Sequence, residues 1–600
     1  MLNILTAVLF VAGPQRSRAQ SHQTAYVLNN FEGPSALKGW RFSGTPQSPI
    51  VGGTLALGPG HHGHGAVLTY RIACDRNVAC DAYAAALWRP SSRLPKRRNP
   101  AISLWIRFPP DVEVCFLAKD TSGLSLRFPV VPTLEHPTAG DWEYLVIPLS
   151  AKKPVIEMGI IVQARARVAV QGAVSFDDLM LRESSESFQL DPSAEVTPSS
   201  PEPFELAHIG VNIHLLRDNH SLDLARAAGF RFVRMDMLWV NVERHGRYRF
   251  FAYDALLRSL DSRGMGVLWI LDYGHPDHGG AAPRTSEDVA AFGRFAGAVA
   301  AHFKGRNVRY EIWNEPDTAE FWAPSPNADE YAALLREAVT AIRAADPAAR
   351  VTSGGVSKID VPFVTHVLDP SLAADLSAIS IHPYPTAGPE TIVPELAILR
   401  EWLSHTFGGH LEVWDTEWGY SSASAVKDAS SNGHSESGRK RQAALAVREL
   451  LTVWILGFPL GVWYDLRDDG PDPTNPGQNY GLLDSSGNEK PAMKAVRTSM
   501  GAISGRKYVG MIQETPAGIH AMRFDRSTDI MFVVWTEVPS DRRKVEYQEL
   551  GLLSITNLMS EAVQSKPKPS GHGQVDLYET AGPVYFLWRA GSPGRTLGPS

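Results

Sequence analysis

Two glutamates stand where a folded chain could set them to work on one bond. Glu315 ends the run Arg309-Tyr-Glu-Ile-Trp-Asn-Glu315, which Pro316 cuts off, and Glu417 lies in Leu411-Glu-Val-Trp-Asp-Thr-Glu-Trp-Gly-Tyr420. In both, strand-forming residues lead to the carboxylate and a chain-turning residue follows it, Pro316 without a ladder N–H and Gly419 with a free choice of dihedral. A carboxylate at the carboxyl end of a parallel strand occupies the place where (β/α)8 barrels keep their chemistry. Cleavage of a glycosidic bond uses such a pair: one carboxyl group protonates the leaving oxygen, and the other attacks the sugar or activates water. The two lie 102 residues apart, so they can cooperate only if the fold brings both strand ends to one face.

The surrounding chain supplies the elements for this. Between residues 205 and 505, strand-like runs alternate with helical patterns, the mark of βα units and a parallel sheet. Eight units can be counted, opening on Ile209-Gly-Val-Asn-Ile-His-Leu215 and closing on Leu460-Gly-Val-Trp-Tyr-Asp-Leu466. That number in about 300 residues predicts a TIM barrel, with Glu315 on the fourth strand and Glu417 on the seventh. No glycine-rich phosphate turn follows the first strand, which argues against a doubly wound sheet. Residues 24–184 read as a β-sandwich of alternating strands. Residues 185–204, rich in Ser, Pro and Glu, read as a linker. Residues 506–590 read as a small C-terminal β-sandwich and 591–600 as a tail. The expected fold class is therefore multidomain, a central barrel flanked by two β-sandwiches.

Composition narrows the function classes. The net charge of −6 over 600 residues argues against the basic surface a nucleic-acid partner would require, and the local basic runs Lys96-Arg97-Arg98 and Arg439-Lys440-Arg441 read as solvated faces. The apolar run at 3–13, followed by Ser17-Arg18-Ala19, gives residues 1–23 the look of a signal peptide and points to a secreted or periplasmic protein. The run is too short to span a bilayer, which takes about 20 apolar residues. Cys74 and Cys80 bracket a short loop and could pair in an oxidising compartment, leaving Cys115 inside a strand. The Gly60-His-His-Gly-His-Gly65 cluster has no carboxylate or cysteine beside it at ligand spacing, and is read as a flexible glycine-rich loop. Asp468, Asp469 and Asp472 are read as a solvated loop. No metal and no cofactor are expected.

The motifs Trp313-Asn314-Glu315-Pro316 and Thr416-Glu417-Trp418-Gly419, three strands apart, resemble those of the large group of retaining (β/α)8 glycoside hydrolases. The best match is the family 39 type, which includes β-xylosidases, α-L-iduronidases and exopolysaccharide endoglycosidases. Val233-Arg234 with Trp239 and Glu243, His382-Pro-Tyr384, and Trp463 with Tyr480-Gly-Leu-Leu483 fit the same pattern. The resemblance covers residues 205–590. It implies that Glu315 is the general acid/base and Glu417 the nucleophile. Asn314 would bond the sugar 2-hydroxyl, and Arg234 and Tyr384 would hold the Glu417 carboxylate. His382 and Trp463 would shape the sugar site, while Trp239, Tyr273, His275, Trp418 and Tyr420 would support it or line outer subsites. Residues 24–184 resemble jelly-roll carbohydrate-binding modules, with Trp40, Trp88 and Trp105 as possible sugar platforms. The implied partner is a poly- or oligosaccharide. The competing reading is a non-catalytic extracellular polysaccharide-binding protein on the same barrel.

Overall fold

The computed structural model describes residues 26–590 except 34, 46–50, 74–81, 96–99, 110–111, 123–124, 131–141, 150–152, 165–169, 184–186, 193–195, 199–208, 424–435, 513–514, 517, 538–542 and 569–570. The expected signal peptide, the C-terminal tail and the Cys74/Cys80 pair lie outside the described residues.

Eight parallel strands close into a barrel in sequence order: β1 (Ile209–Asn212), β2 (Phe232–Leu238), β3 (Gly266–Asp272), β4 (Val308–Asn314), β5 (Arg350–Ser357), β6 (Ala378–His382), β7 (Glu412–Trp418) and β8 (Gly461–Trp463). β1 pairs with both β2 and β8, which completes the ring. Helices pack outside, and their ends follow local chemistry. Asn327 accepts hydrogen bonds from the N–H groups of Asp329 and Glu330 and so starts the helix Ala328–Ala345. Gly229, left-handed at φ 110°, ends Asn219–Ala228.

Ahead of the barrel, two antiparallel sheets face each other across a core that includes Leu68, Ile102, Val114, Ile160 and Phe176. Trp40 and Trp88 stack on one another and pack against that core, and Trp105 is buried with His61 lying flat upon it. None of the three presents the open ring face that a sugar platform needs.

The stretch read as a linker is not only a connector. Ser187–Leu190 runs parallel to Arg543–Gln548, and Thr197–Pro198 pairs with Lys507–Met511, so two pieces of it complete the C-terminal sheets. Phe188 and Leu190 are buried with Val534, Phe586 and Trp588. Two apolar residues at period two suffice to hold this short strand, although the polar composition around them hides it.

The C-terminal sandwich packs on the barrel through a buried ionic knot. Arg448, fully buried on the helix Glu436–Ile455, donates to both oxygens of Glu390 at 2.9 and 2.7 Å and to Glu579 at 3.1 Å, and the Trp535 indole donates to Glu390 at 2.7 Å. Removing one partner from such a group strands the others' charge in a dry site. Arg448→Ala is therefore expected to cost roughly 3–5 kcal/mol of stability, seen as a lowered urea midpoint. A change within a few tenths of a kcal/mol would show that the knot does not fasten the two units.

Candidate active site

The centre of the site is a guanidinium inside the barrel. Arg234 projects inward from β2 and is 1% exposed. Its Nε donates to Glu311 Oε2 at 2.9 Å and its Nη2 to Glu311 Oε1 at 3.3 Å; Glu311, on β4, is itself fully buried. Nη1 reaches Asn212 Oδ1 at 3.3 Å and Glu417 Oε2 at 2.5 Å, and Nη2 reaches Asn314 Oδ1 at 2.9 Å. Five donors in a rigid fork thus fix residues on β1, β4 and β7 at once.

Glu311 is further held by the Gly355 N–H at 2.9 Å and the Thr416 hydroxyl at 3.1 Å. Burial alone would raise its pKa, but the Arg234 charge and the hydrogen bonds from His382 and Arg234 outweigh burial and hold it at about 2.

Glu417 has both oxygens committed. Oε2 accepts from Arg234, and Oε1 accepts from the Tyr384 hydroxyl at 2.7 Å. Burial opposes its charge, yet the positive charges of His382 and Arg234, with the tyrosine bond, bring it below the usual carboxylate range. Burial and the facing Glu417 charge push the Tyr384 phenol far above its ordinary range, so it remains a donor.

His382, at the end of β6, links Glu315 to the buried Glu311. Its Nδ1 lies 3.0 Å from Glu315 Oε1, and its Nε2 lies 3.2 Å from the Thr416 hydroxyl and 3.7 Å from Glu311 Oε1. Burial disfavours its charged form, but Glu417 and the bonds to Glu311 and Glu315 prevail and raise it to about 10. The ring lies so close to Gly355 that a methyl there would sit 2.0 Å from Nε2, which requires glycine at that position.

Backbone strain collects at the same place. Trp313, Glu315 and Tyr384 all take positive φ, at 73°, 41° and 37°, which costs each of these non-glycine residues about 1–3 kcal/mol unless its surroundings impose it. Trp313 is imposed: its indole donates to Phe321 O at 3.1 Å, and its ring packs against Tyr273 and Trp322. Glu315 N–H bonds to Gly355 O at 3.0 Å. An oxygen of Glu315, one of Glu417 and a ring nitrogen of His382 all lie within 4.8 Å of one another.

Six of the expected residues therefore meet: Glu315, Glu417, Asn314, Arg234, His382 and Tyr384. Trp463 ends β8, buried beside Trp418, its register partner on β7, and neither indole N–H has a protein acceptor among the described residues. Tyr273 is half-buried and braces Trp313. Trp239 does not reach the cleft. Its ring is enclosed by His278, Phe292 and Phe295, and its indole donates to Glu243 at 2.7 Å. His275 is buried beside it. Tyr420 is likewise buried, its hydroxyl donating to Ala387 O at 3.1 Å. An apolar body with one internal partner makes each of these a packing residue.

Glu311 went unread although it stands in plain view: a glutamate in mid-strand among Tyr310, Ile312 and Trp313 already signals a buried ion pair. The acidic loop after β8 also differs in part from its solvated reading. Asp468 is buried against Lys490 at 2.9 Å. Asp469 accepts from Tyr464 at 3.1 Å and, with buried Asp465, faces His214. Asp469 and Asp472 are both exposed, as the solvated reading has them, and only Asp468 is withdrawn from solvent.

A closed parallel barrel with paired glutamates at the ends of β4 and after the apolar run of β7 is the framework of a glycoside hydrolase. The model for the cellulases of glycosyl hydrolase family 5 matches residues 200–444, which hold seven of the eight strands, and the chain is a glycoside hydrolase. Among solved structures it is similar in fold to a family 39 glycoside hydrolase from the gut symbiont Bacteroides cellulosilyticus WH2, at 18% identity and a TM-score of 0.55 over 84% of this chain and 97% of that one. It also matches a monomeric beta-xylosidase from Caulobacter crescentus CB15, at 16% identity and a TM-score of 0.49 over 68% of this chain and 99% of that one. No curated protein sequence matches. The resemblance to the family 39 type, drawn from the motifs, thus has a fold likeness beside it.

The buried charges predict a pH response. His382 is raised from 6.5 to about 10, so its stabilising contribution is full below about pH 6.5 and is lost as pH climbs through 10. Glu311 is lowered from 4.5 to about 2, so its contribution is present above pH 4.5 and is lost as pH falls toward 2. Melting temperatures followed from pH 6.5 to 10 should fall more steeply for the wild type than for His382→Gln. Parallel curves would refute a charged His382.

Proposed function

We propose that the protein cleaves O-glycosidic bonds of a poly- or oligosaccharide by double displacement. The observation that carries this reading is the state of Glu417: both oxygens are held, the carboxylate is kept ionised, and one oxygen lies within 4.8 Å of a Glu315 oxygen. Retaining enzymes hold their carboxyl groups about 5–5.5 Å apart, whereas inverting ones leave about 6.5–9.5 Å for a water. The close approach supports direct attack.

In the first step Glu417 attacks the anomeric carbon and forms a glycosyl ester. Glu315 passes its proton to the departing oxygen, and the bond between that oxygen and the anomeric carbon breaks. In the second step Glu315 takes a proton from water, whose oxygen displaces Glu417 and restores the starting state. Arg234 is donor-only, so the Asn314 amide turns its oxygen toward it and its NH2 toward the open cleft, where it can donate to a sugar hydroxyl. His382 binds Glu315 Oε1 and leaves Oε2 to face the leaving group. Action on an external polysaccharide would suit a secreted protein, and secretion through residues 1–23 is part of this proposal.

Glu417→Ala is expected to abolish turnover with the fold retained. Glu315→Ala should lose about 10²–10⁴-fold on natural glycosides and much less on aryl glycosides whose leaving groups need no proton. Proton NMR of the first product should show the anomer of the substrate. Full activity in Glu417→Ala, or an inverted first product, would overturn the reading.

A further inference from the structure

The histidine cluster of the N-terminal sandwich is neither loose nor without carboxylates. Three acidic residues, distant in sequence, close upon the turn that carries it. The His64 N–H donates to Glu32 Oε1 at 2.8 Å, and the His62 N–H donates to buried Asp177 Oδ2 at 2.9 Å. The His62 ring Nδ1 lies 2.7 Å from Asp178 Oδ2, contributed 116 residues later by the strand Val170–Glu183. The glycines serve this approach: a Cβ on Gly60 would sit 2.6 Å from Asp177 Oδ2, and one on Gly63, at φ 63°, would sit 2.2 Å from Glu32 Oε1. The turn is clasped rather than free.

The rings are aimed as well. His61 stacks on Trp105 with centroids 3.7 Å apart and planes 10° from parallel. This stacking brings its Nδ1 to 3.2 Å from Nδ1 of His62. His62 Nδ1 therefore faces a second imidazole nitrogen on one side and a carboxylate on the other. One proton on that nitrogen can serve only one of the two contacts, and without a proton its lone pair faces the carboxylate. A cation held among the three atoms satisfies both contacts.

We propose that His61 Nδ1, His62 Nδ1 and Asp178 Oδ2 bind a divalent late transition metal of the zinc, nickel or copper class. One ligand atom from each of the three residues lies within 4.8 Å of the other two. Zinc bonds of about 2.0–2.2 Å to imidazole and carboxylate place neighbouring ligands roughly 3 Å apart, close to the 3.2 and 2.7 Å found here. Two nitrogen donors in three select this class, whereas calcium takes six to eight oxygens. The backbone bonds to Asp177 and Glu32 orient the turn in the way outer-shell contacts orient a metal's ligands. The bound ion would staple the hairpin of Val51–Pro59 and His64–Ile72 to the strand Val170–Glu183, with water completing its coordination.

The test is zinc chloride titrated calorimetrically into chelator-stripped full-length protein, with bound metal counted by mass spectrometry. Wild type should bind one zinc ion more than the His61→Ala/His62→Ala variant. Asp178→Asn should bind that ion at least tenfold more weakly; Asn keeps the left-handed backbone that Asp178 adopts at φ 50°. The His62 side chain is 60% exposed, so the double variant should keep the wild-type circular dichroism spectrum. Equal zinc stoichiometry and affinity in wild type and the double variant, or displacement of the ion by equimolar calcium, would overturn the proposal. The site lies outside the barrel, so glycoside hydrolysis should be the same in all three proteins.

Discussion

The bond on which the site depends is the one between Arg234 and Glu311. Both charges are removed from water inside the barrel. A lone guanidinium there would be very unfavourable, and a lone carboxylate equally so. As a pair, satisfied by Asn212, Asn314, Gly355 and Thr416, they form a fixed, charge-balanced anchor. From it Arg234 spares one N–H for Glu417, whose charge, with the bonds to Glu311 and Glu315, draws His382 into its charged form. The paired carboxylates are thus held by a structure that is complete before any ligand arrives, which is the preorganisation that the proposed electrostatic catalysis needs.

The barrel makes this affordable. Parallel strands deliver β1, β2, β4, β6 and β7 to one end, so residues spread over 206 positions, from Asn212 to Glu417, share one pocket. The left-handed backbones of Trp313, Glu315 and Tyr384 are tolerated because their side chains are pinned on several sides. Trp313 is enclosed by aromatic rings, and Tyr384 is tied to Glu417. Local strain at the cleft is offset by the packed layers of the rest of the barrel.

Much of this was legible in the chain, for physical reasons. Alternating strand and helix periods announced eight βα units, and Pro316 and Gly419 marked where two strands stop. Arg234, His382 and Tyr384 could be placed only through a resemblance, because nothing in local periodicity says that three distant polar residues converge. Glu311 lies outside the strand-end pattern, and its signal is a lone charge in mid-strand among strand-forming residues. Trp239 was assigned to the site on motif position alone, and packing took it into the core. Sequence spacing failed where ligands come from afar. Asp178 meets His62 across 116 residues, and Phe188 with Leu190 reaches a sheet formed more than 300 residues later. Such contacts are set by topology, which composition does not reveal.

The central claim is that Glu417 forms a covalent bond with the sugar. A panel of 2-deoxy-2-fluoroglycosyl fluorides, which form the glycosyl ester quickly and release it slowly, tests this through peptide mass spectrometry of the inactivated protein. The account predicts one fluoroglycosyl adduct, on the peptide that carries Glu417, and none in Glu417→Gln. An adduct on Glu315, or on any residue other than Glu417, would contradict it.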